Sequence, residues 1–143
     1  MKPLATLQFS DFYPWAMRKQ YPNLQYPGVY AIHISTETLT NHAFHWDLIH
    51  YIRMTTRSLH ERLARFGYAV QHGERHSGGN TIFKEKGRID TKYLHVAMMG
   101  IEHENLSQAT YQRVLGKVVY LEYEAFAQFY EATEQDRPIF NKQ

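Results

Sequence analysis

The acid at position 122 has the least ordinary setting of any charged residue in this chain. The segment 117–133 is apolar with helical spacing, and Glu122, Glu124, Glu131 and Glu134 fall in it or at its end. Val119, Glu122, Phe126 and Phe129 stand at offsets 0, 3, 7 and 10, one stripe of a helix. Glu124, Gln128, Glu131 and Gln135 stand at 0, 4, 7 and 11 and make a polar, solvated face. Glu122 alone therefore points toward the apolar side, where a carboxylate has to be paired, liganded or protonated. Two partners suit it. One is a salt bridge to Arg62. The other is Mg²⁺, a hard cation that binds through few protein oxygens and keeps several waters. Arg62 itself sits beside Leu63 at the edge of a second apolar stripe, Leu59, Leu63 and Phe66. A guanidinium fixed there is a permanently charged fork for a carboxylate or a phosphate. The segment from Gly67 to Lys92 is rich in Gly, His and cations, among them His72, Arg75, His76, Lys84, Lys86 and Arg88. It reads as a flexible basic loop suited to phosphate contacts, or as a solvated one. His42 and His45 make an H-x-x-H pair, half of a zinc-like ligand set.

These residues need elements to hold them. Gly28 to Ser35 reads as a strand apolar on both faces, as in the middle of a sheet: Val29, Ala31 and His33 share one face, Tyr30, Ile32 and Ile34 the other. A second strand spans 48–54, followed by a polar turn at Thr55, Thr56 and Arg57. Ser58 and Glu61 form a capping box that starts a helix over 58–67. A third strand covers 93–99. A helix over 106–115, capped by Asn105 or Ser107, is interrupted by Gly116, and the last helix runs over 117–133. Asp11 to Gln20 can hold a short helix with Pro14 in its first turn. The expected fold is α/β of the α+β kind: a small three-stranded, mainly antiparallel sheet flanked by helices. Residues 1–26 form an N-terminal extension packed on a domain of 27–143.

Several of these pieces occur together in a known order. Gly28-Val29-Tyr30, then Tyr51-Ile52-Arg53, then Arg62 on the following helix, then Glu122 with Ala125-Phe126, and finally Pro138 and Asn141 resemble the GIY-YIG nuclease family. The resemblance spans 27–141. It implies a metal-dependent endonuclease of restriction, homing or phage type that hydrolyses DNA, duplex DNA above all. It assigns catalytic roles to Tyr30, Tyr51, Arg62 and Glu122. Glu122 holds Mg²⁺ or Mn²⁺, Arg62 takes the scissile phosphate and the tyrosines orient the attacking water. One phenol acting as general base requires its pKa, ordinarily near ~10, to be lowered. Asn141 keeps the site's hydrogen-bond network or contacts phosphate, and Arg53, His76 and Lys84 are candidate substrate contacts. The chain departs from the family pattern at three places. Arg53 stands where the second motif ends in Gly, and it either re-aims the turn or adds a phosphate contact. Met54 follows where some relatives are basic. Phe66 stands four residues beyond the helix Arg, where relatives carry His or Tyr, and Phe moves no proton. The base then lies elsewhere, with His60, His72 and His76 as candidates, or the chain is a catalytically silent or weakened nucleic-acid-binding module on the same scaffold.

Bulk properties agree with one domain. The chain has 143 residues, 43% of them hydrophobic and 15% aromatic, with 11 Tyr. Without Cys there are no disulfides and no thiolate metal sites. No leader-like or membrane-spanning apolar run is visible, so a cytoplasmic protein is expected. The net charge of +2 with neutral His permits a polyanionic partner. A chain this small has little room for separate sequence readout, which points to a homodimer or a partner protein.

Overall fold

The computed structural model describes residues 5–35, 42–104 and 107–141. Its centre is β2 (Gly28–Ile34), which has a neighbour on each side, as its two apolar faces predict. It pairs antiparallel with β3 (Tyr51–Thr55), Tyr30 opposite Arg53, and with β4 (Leu94–Gly100), His33 opposite His95. The expected three strands are joined by a fourth. β1 (Tyr13–Pro14) pairs with the outer side of β4 and gives the order β1-β4-β2-β3. Two residues are too few to show alternation, and a proline is acceptable only at a sheet edge like this one. The helix expected over 11–20 is a 3₁₀ turn at Trp15–Gln20. The start of the strand expected over 48–54 is partly another, at Trp46–Leu48.

Period two along the strands sorts the core into two layers. Tyr30, Ile32, Tyr51, Val96 and Met98 pack against Leu59, Leu63 and Phe66 of α1 (Leu59–His72) and Ile82 of α2 (Ser77–Lys86). On the other side Ala31, Ile52 and Ala97 pack under Ala125, Phe126 and Phe129 of α3 (Gln108–Thr133). The sheet is thus sandwiched between α1 with α2 and the long α3. β3 is left as an edge.

The N-cap half of the expected box forms, the Ser58 hydroxyl accepting the Glu61 N–H at 3.1 Å, while the Glu61 carboxylate goes to Arg57 and Arg65. α1 then runs past its expected end at 67 to a left-handed Gly73 (φ 75°). Gly67 does not stop it. A Cβ there would lie 2.8 Å from Trp15 Cζ2, so glycine makes room for the indole. The stretch expected to be a basic loop contains α2, and its glycines are also contacts. A Cβ at Gly78 would meet Tyr51 Oη at 2.0 Å, and one at Gly79 would meet Ala69 Cβ at 2.5 Å. α3 is one continuous helix of 26 residues rather than two. Gly116 costs such a helix only about 1 kcal/mol, and the buried Val114 and Val118 on either side hold it. Ser107 caps it, and Asn105 lies outside the described residues. Val119, expected in the apolar stripe, is exposed; the stripe is Val114, Val118, Leu121, Ala125 and Phe129. Among the described residues no helix is long and apolar enough to cross a membrane.

Away from α1 and α2, imidazoles line up across the sheet. The His33 ring stacks on His50 at 5.1 Å and lies 5.8 Å from His95. Burial holds His33, His50, His76 and His95 below the usual histidine range, His50 and His76 at about 4. Between those values and the unfolded 6.5, the unfolded chain binds more protons, so stability falls as pH drops through that window. The urea midpoint at pH 5 should lie clearly below that at pH 7. Equal midpoints would mean that the imidazoles are not held neutral.

Candidate functional site

An edge strand presents backbone groups with no neighbour. β3 has its outer groups met by side chains and by the end of the chain. Asn141 Oδ1 accepts the Ile52 N–H at 2.8 Å, and its Nδ2 donates to the Ile52 carbonyl at 2.6 Å. The Phe140 N–H donates to the His50 carbonyl at 3.0 Å. Glu122 Oε2 accepts the Met54 N–H at 3.0 Å. Glu122 comes from α3, on one side of the sheet, and reaches the edge that faces the α1 and α2 layer.

There the edge opens into a pocket of about 210 Å³, lined by Tyr51, Arg53, Met54, Arg62, His76, Ser77 and Glu122. Tyr51 and Arg53 reach it because they share one face of β3. Arg62 projects from α1. It also lines an adjoining hollow of about 190 Å³ with Thr55, Arg57 and Arg65. Glu61 occupies the cations on either side of it, Arg57 at 3.4 Å and Arg65 at 3.1 Å. Among the described residues neither Arg53 nor Arg62 is in an ion pair, so the Glu122–Arg62 bridge does not form. Both guanidiniums are left for an anion.

The half-buried Glu122 has its pKa raised by burial, against the pull of Arg53, the Met54 N–H and Arg137. Its Oε1 has no hydrogen-bond partner among the described residues. Such a carboxylate, one oxygen anchored and one facing the pocket, fits a magnesium-like ion that takes the rest of its coordination from water and phosphate. The two phenols differ. Tyr51 is 1% exposed; its hydroxyl makes no hydrogen bond of good geometry, with the Arg53 side chain as its polar neighbour. Tyr30 is fully buried and its hydroxyl bonds His76 Nε2 at 2.9 Å. Burial raises both pKa values, that of Tyr30 strongly, while Arg53 and Arg62 oppose it. His76 caps α2, its Nδ1 accepting the Gly79 N–H at 3.0 Å. The backbone just before it is left-handed at Arg75 (φ 79°), a strained conformation for a residue with a Cβ.

Of the residues singled out by sequence, Tyr51, Arg53, Arg62, His76 and Glu122 meet at one pocket, and Tyr30 lies directly behind His76. Two do not line it. Lys84 stands exposed on α2. Asn141 is buried, and both ends of its amide are taken by Ile52, so it braces the strand rather than meeting a substrate. Arg53 does not crowd the turn; it lines the pocket wall opposite Tyr30 in register. His42 and His45 part company, His42 beside the His95 ring and His45 toward Asp47. Sequence reasoning missed Ser77 and Gly78 at the start of α2. A histidine N-cap lies outside the usual Ser, Thr, Asp and Asn set, and paired glycines read as a loop. The one available signal was His76 three residues before Gly79, at capping distance.

Set against protein-family models, curated proteins and solved structures, the chain matches none.

Replacing Asn141 by Ala strands a buried N–H and a buried carbonyl and should cost about 2–4 kcal/mol in urea unfolding. A group that only touched substrate would leave stability unchanged. Glu122→Gln keeps an acceptor for the Met54 N–H and removes a charge that burial disfavours. Because the folded pKa is raised, the penalty applies above it and vanishes below. By calorimetry the Gln protein should melt at or above the wild type at pH 8, and the difference should shrink as pH falls toward 4.5.

Proposed function

We propose that this protein is a metal-dependent endonuclease that hydrolyses phosphodiester bonds in DNA, duplex DNA above all, and works in the cytoplasm. The observation that carries this reading is the meeting, at one pocket, of an anchored acid, two guanidiniums outside any ion pair and a phenol, from β3, α1 and α3. The ordered motifs that resemble the GIY-YIG nucleases name the same residues.

Phosphodiester cleavage needs the ester held, the developing charge on its oxygens met, and water aimed in line. Arg62 and Arg53 hold and neutralise the non-bridging oxygens, and their fixed charge makes no demand on pH. Glu122 is the ligand for Mg²⁺ or Mn²⁺, which when bound supplies Lewis-acid stabilisation of the phosphate and the leaving oxygen. The phenols orient the water. The adjoining hollow brings Arg57 and Arg65 beside Arg62, with Glu61, which lines it too, paired to both. A homodimer or a partner protein supplies the rest of sequence selection.

One observation favours a second reading, a catalytically silent DNA-binding module. The free protein holds no evident base: both phenols are pushed toward the protonated form, and Phe66 occupies the position that in relatives carries a proton-moving group. Cleavage of plasmid and duplex oligonucleotides in Mg²⁺ and Mn²⁺ separates the two. Arg62→Ala and Glu122→Ala should each lower cleavage about 100-fold or more while the fold is kept. Undiminished cleavage by Glu122→Ala would remove the metal assignment. Salt-dependent DNA binding without cleavage, with a slope reduced by about 1 in Arg53→Ala, supports the silent module.

A further inference from the structure

We propose that His76 divides the work of the two phenols: it holds Tyr30 behind the pocket wall as a hydrogen-bond acceptor, and it leaves Tyr51 as the phenol that meets the phosphate or its attacking water. The roles rest on the endonuclease reading, but the arrangement does not.

The argument starts at a backbone N–H, which can only donate. Gly79 N–H donates to His76 Nδ1 at 3.0 Å, so Nδ1 carries a lone pair and the ring proton sits on Nε2. Nε2 lies 2.9 Å from Tyr30 Oη. The imidazole is therefore the donor and Tyr30 the acceptor. His76 in this tautomer has no free lone pair for a water proton, and it is not a general base. Tyr30 has no exposed surface and does not line the pocket, whereas His76 does. Tyr51 differs in place rather than in burial: it lines the pocket, its hydroxyl makes no hydrogen bond of good geometry, and the Arg53 guanidinium beside it draws its pKa down against burial. A buried hydroxyl whose one polar neighbour is a poorly aligned guanidinium keeps hydrogen-bonding capacity for a ligand at the pocket.

The surroundings hold this division in place. Left-handed Gly73 and Arg75 bracket the short link between α1 and α2, and an extended His76 (φ −157°) then turns its ring inward. The ring stands edge-on to Phe66 at 5.4 Å and to Tyr51 at 6.1 Å. Gly78 lets the first turn of α2 close on the Tyr51 hydroxyl, which any Cβ would displace. Arg53 of β3 and Arg62 and Arg65 of α1 face His76, and with burial they keep it neutral; Tyr30, Tyr51 and Glu122 complete its titratable neighbours. His76 and Tyr30 are thus positioning residues that set the start of α2 over Tyr51.

The first test needs no cleavage. Nitrogen-15 NMR of the full chain should find His76 neutral at pH 6 with its proton on Nε2; a proton on Nδ1, or an imidazolium, overturns the arrangement. Titrating inorganic phosphate with Mg²⁺ should shift the Tyr51 ring signals and leave those of Tyr30 in place. Shifts at Tyr30, or at neither ring, overturn the assignment of Tyr51. In cleavage assays Tyr51→Phe should lose about 100-fold or more. Tyr30→Phe and His76→Asn, the latter keeping a cap for α2, should each lose about 10-fold, and the double variant no more than either single one, because the pair acts as a unit. Equal losses for the two phenols, or multiplicative losses for Tyr30→Phe and His76→Asn, overturn it. Absence of all cleavage by the wild type sinks the endonuclease reading and leaves the NMR results standing on their own.

Discussion

The edge of β3 is the constraint from which the rest of this molecule follows. A sheet must end, and an uncovered final strand offers its N–H and C=O groups to any passing chain. Here the C-terminal segment returns to cover it. Asn141 meets Ile52 with both ends of its amide, as a neighbouring strand would, and Phe140 bonds the carbonyl of His50. Glu122 finishes the job at Met54. Each bond fixes a residue adjacent in sequence to a pocket side chain: Ile52 lies between Tyr51 and Arg53, and Met54 follows Arg53. Rigidity at the edge therefore becomes precision in the pocket, the condition for a site that has to hold a substrate in one geometry.

The same constraint explains how an acid from α3 meets a guanidinium from α1 although the two helices pack on opposite faces of the sheet. A carboxylate cannot pass through a core made of Ala31, Ile52 and Ala97. It can pass around an edge. Glu122 does so at β3, an edge strand, and the Met54 N–H offsets part of the cost of its burial. The pocket has to lie at β3 for the same reason, since the opposite edge is extended by β1.

Much of this was legible where a residue's own period or cap decided its place. The alternation of Val29 to Ile34 placed Tyr30 under the helical layer, the Ser58 box began α1, and the offset of Glu122 from its acidic neighbours separated it from the solvated face. Several failures share one cause. Glycine was read as a breaker, yet Gly67, Gly78 and Gly79 sit inside helices because Trp15, Tyr51 and Ala69 approach too closely for a Cβ. Such contacts join residues of different elements, and no local pattern contains them. Pro14 in a two-residue strand failed in the same way, being set by its pairing with His95 of β4, whereas the His76 cap is local and was missed because histidine lies outside the usual capping set.

What separates scaffold from site is which polar groups the protein itself has satisfied. Asn141, Tyr30 and His76 have bonded partners on the atoms that matter, and each is at most 8% exposed. Around the pocket the opposite holds. Among the described residues Tyr51 Oη makes no hydrogen bond of good geometry, Glu122 Oε1 has no partner, and Arg53 and Arg62 are in no ion pair, although acidic Glu61 lies on the same helix as Arg62 and pairs with both Arg57 and Arg65. Four unspent groups gathered at about 210 Å³ of space are costly to fold around unless something else satisfies them. Their signs describe that occupant: anionic oxygens for the arginines, a hydrogen-bonding oxygen for the phenol and a cation for the carboxylate. On the endonuclease proposal, a phosphate ester with a metal ion and water would supply all three at once.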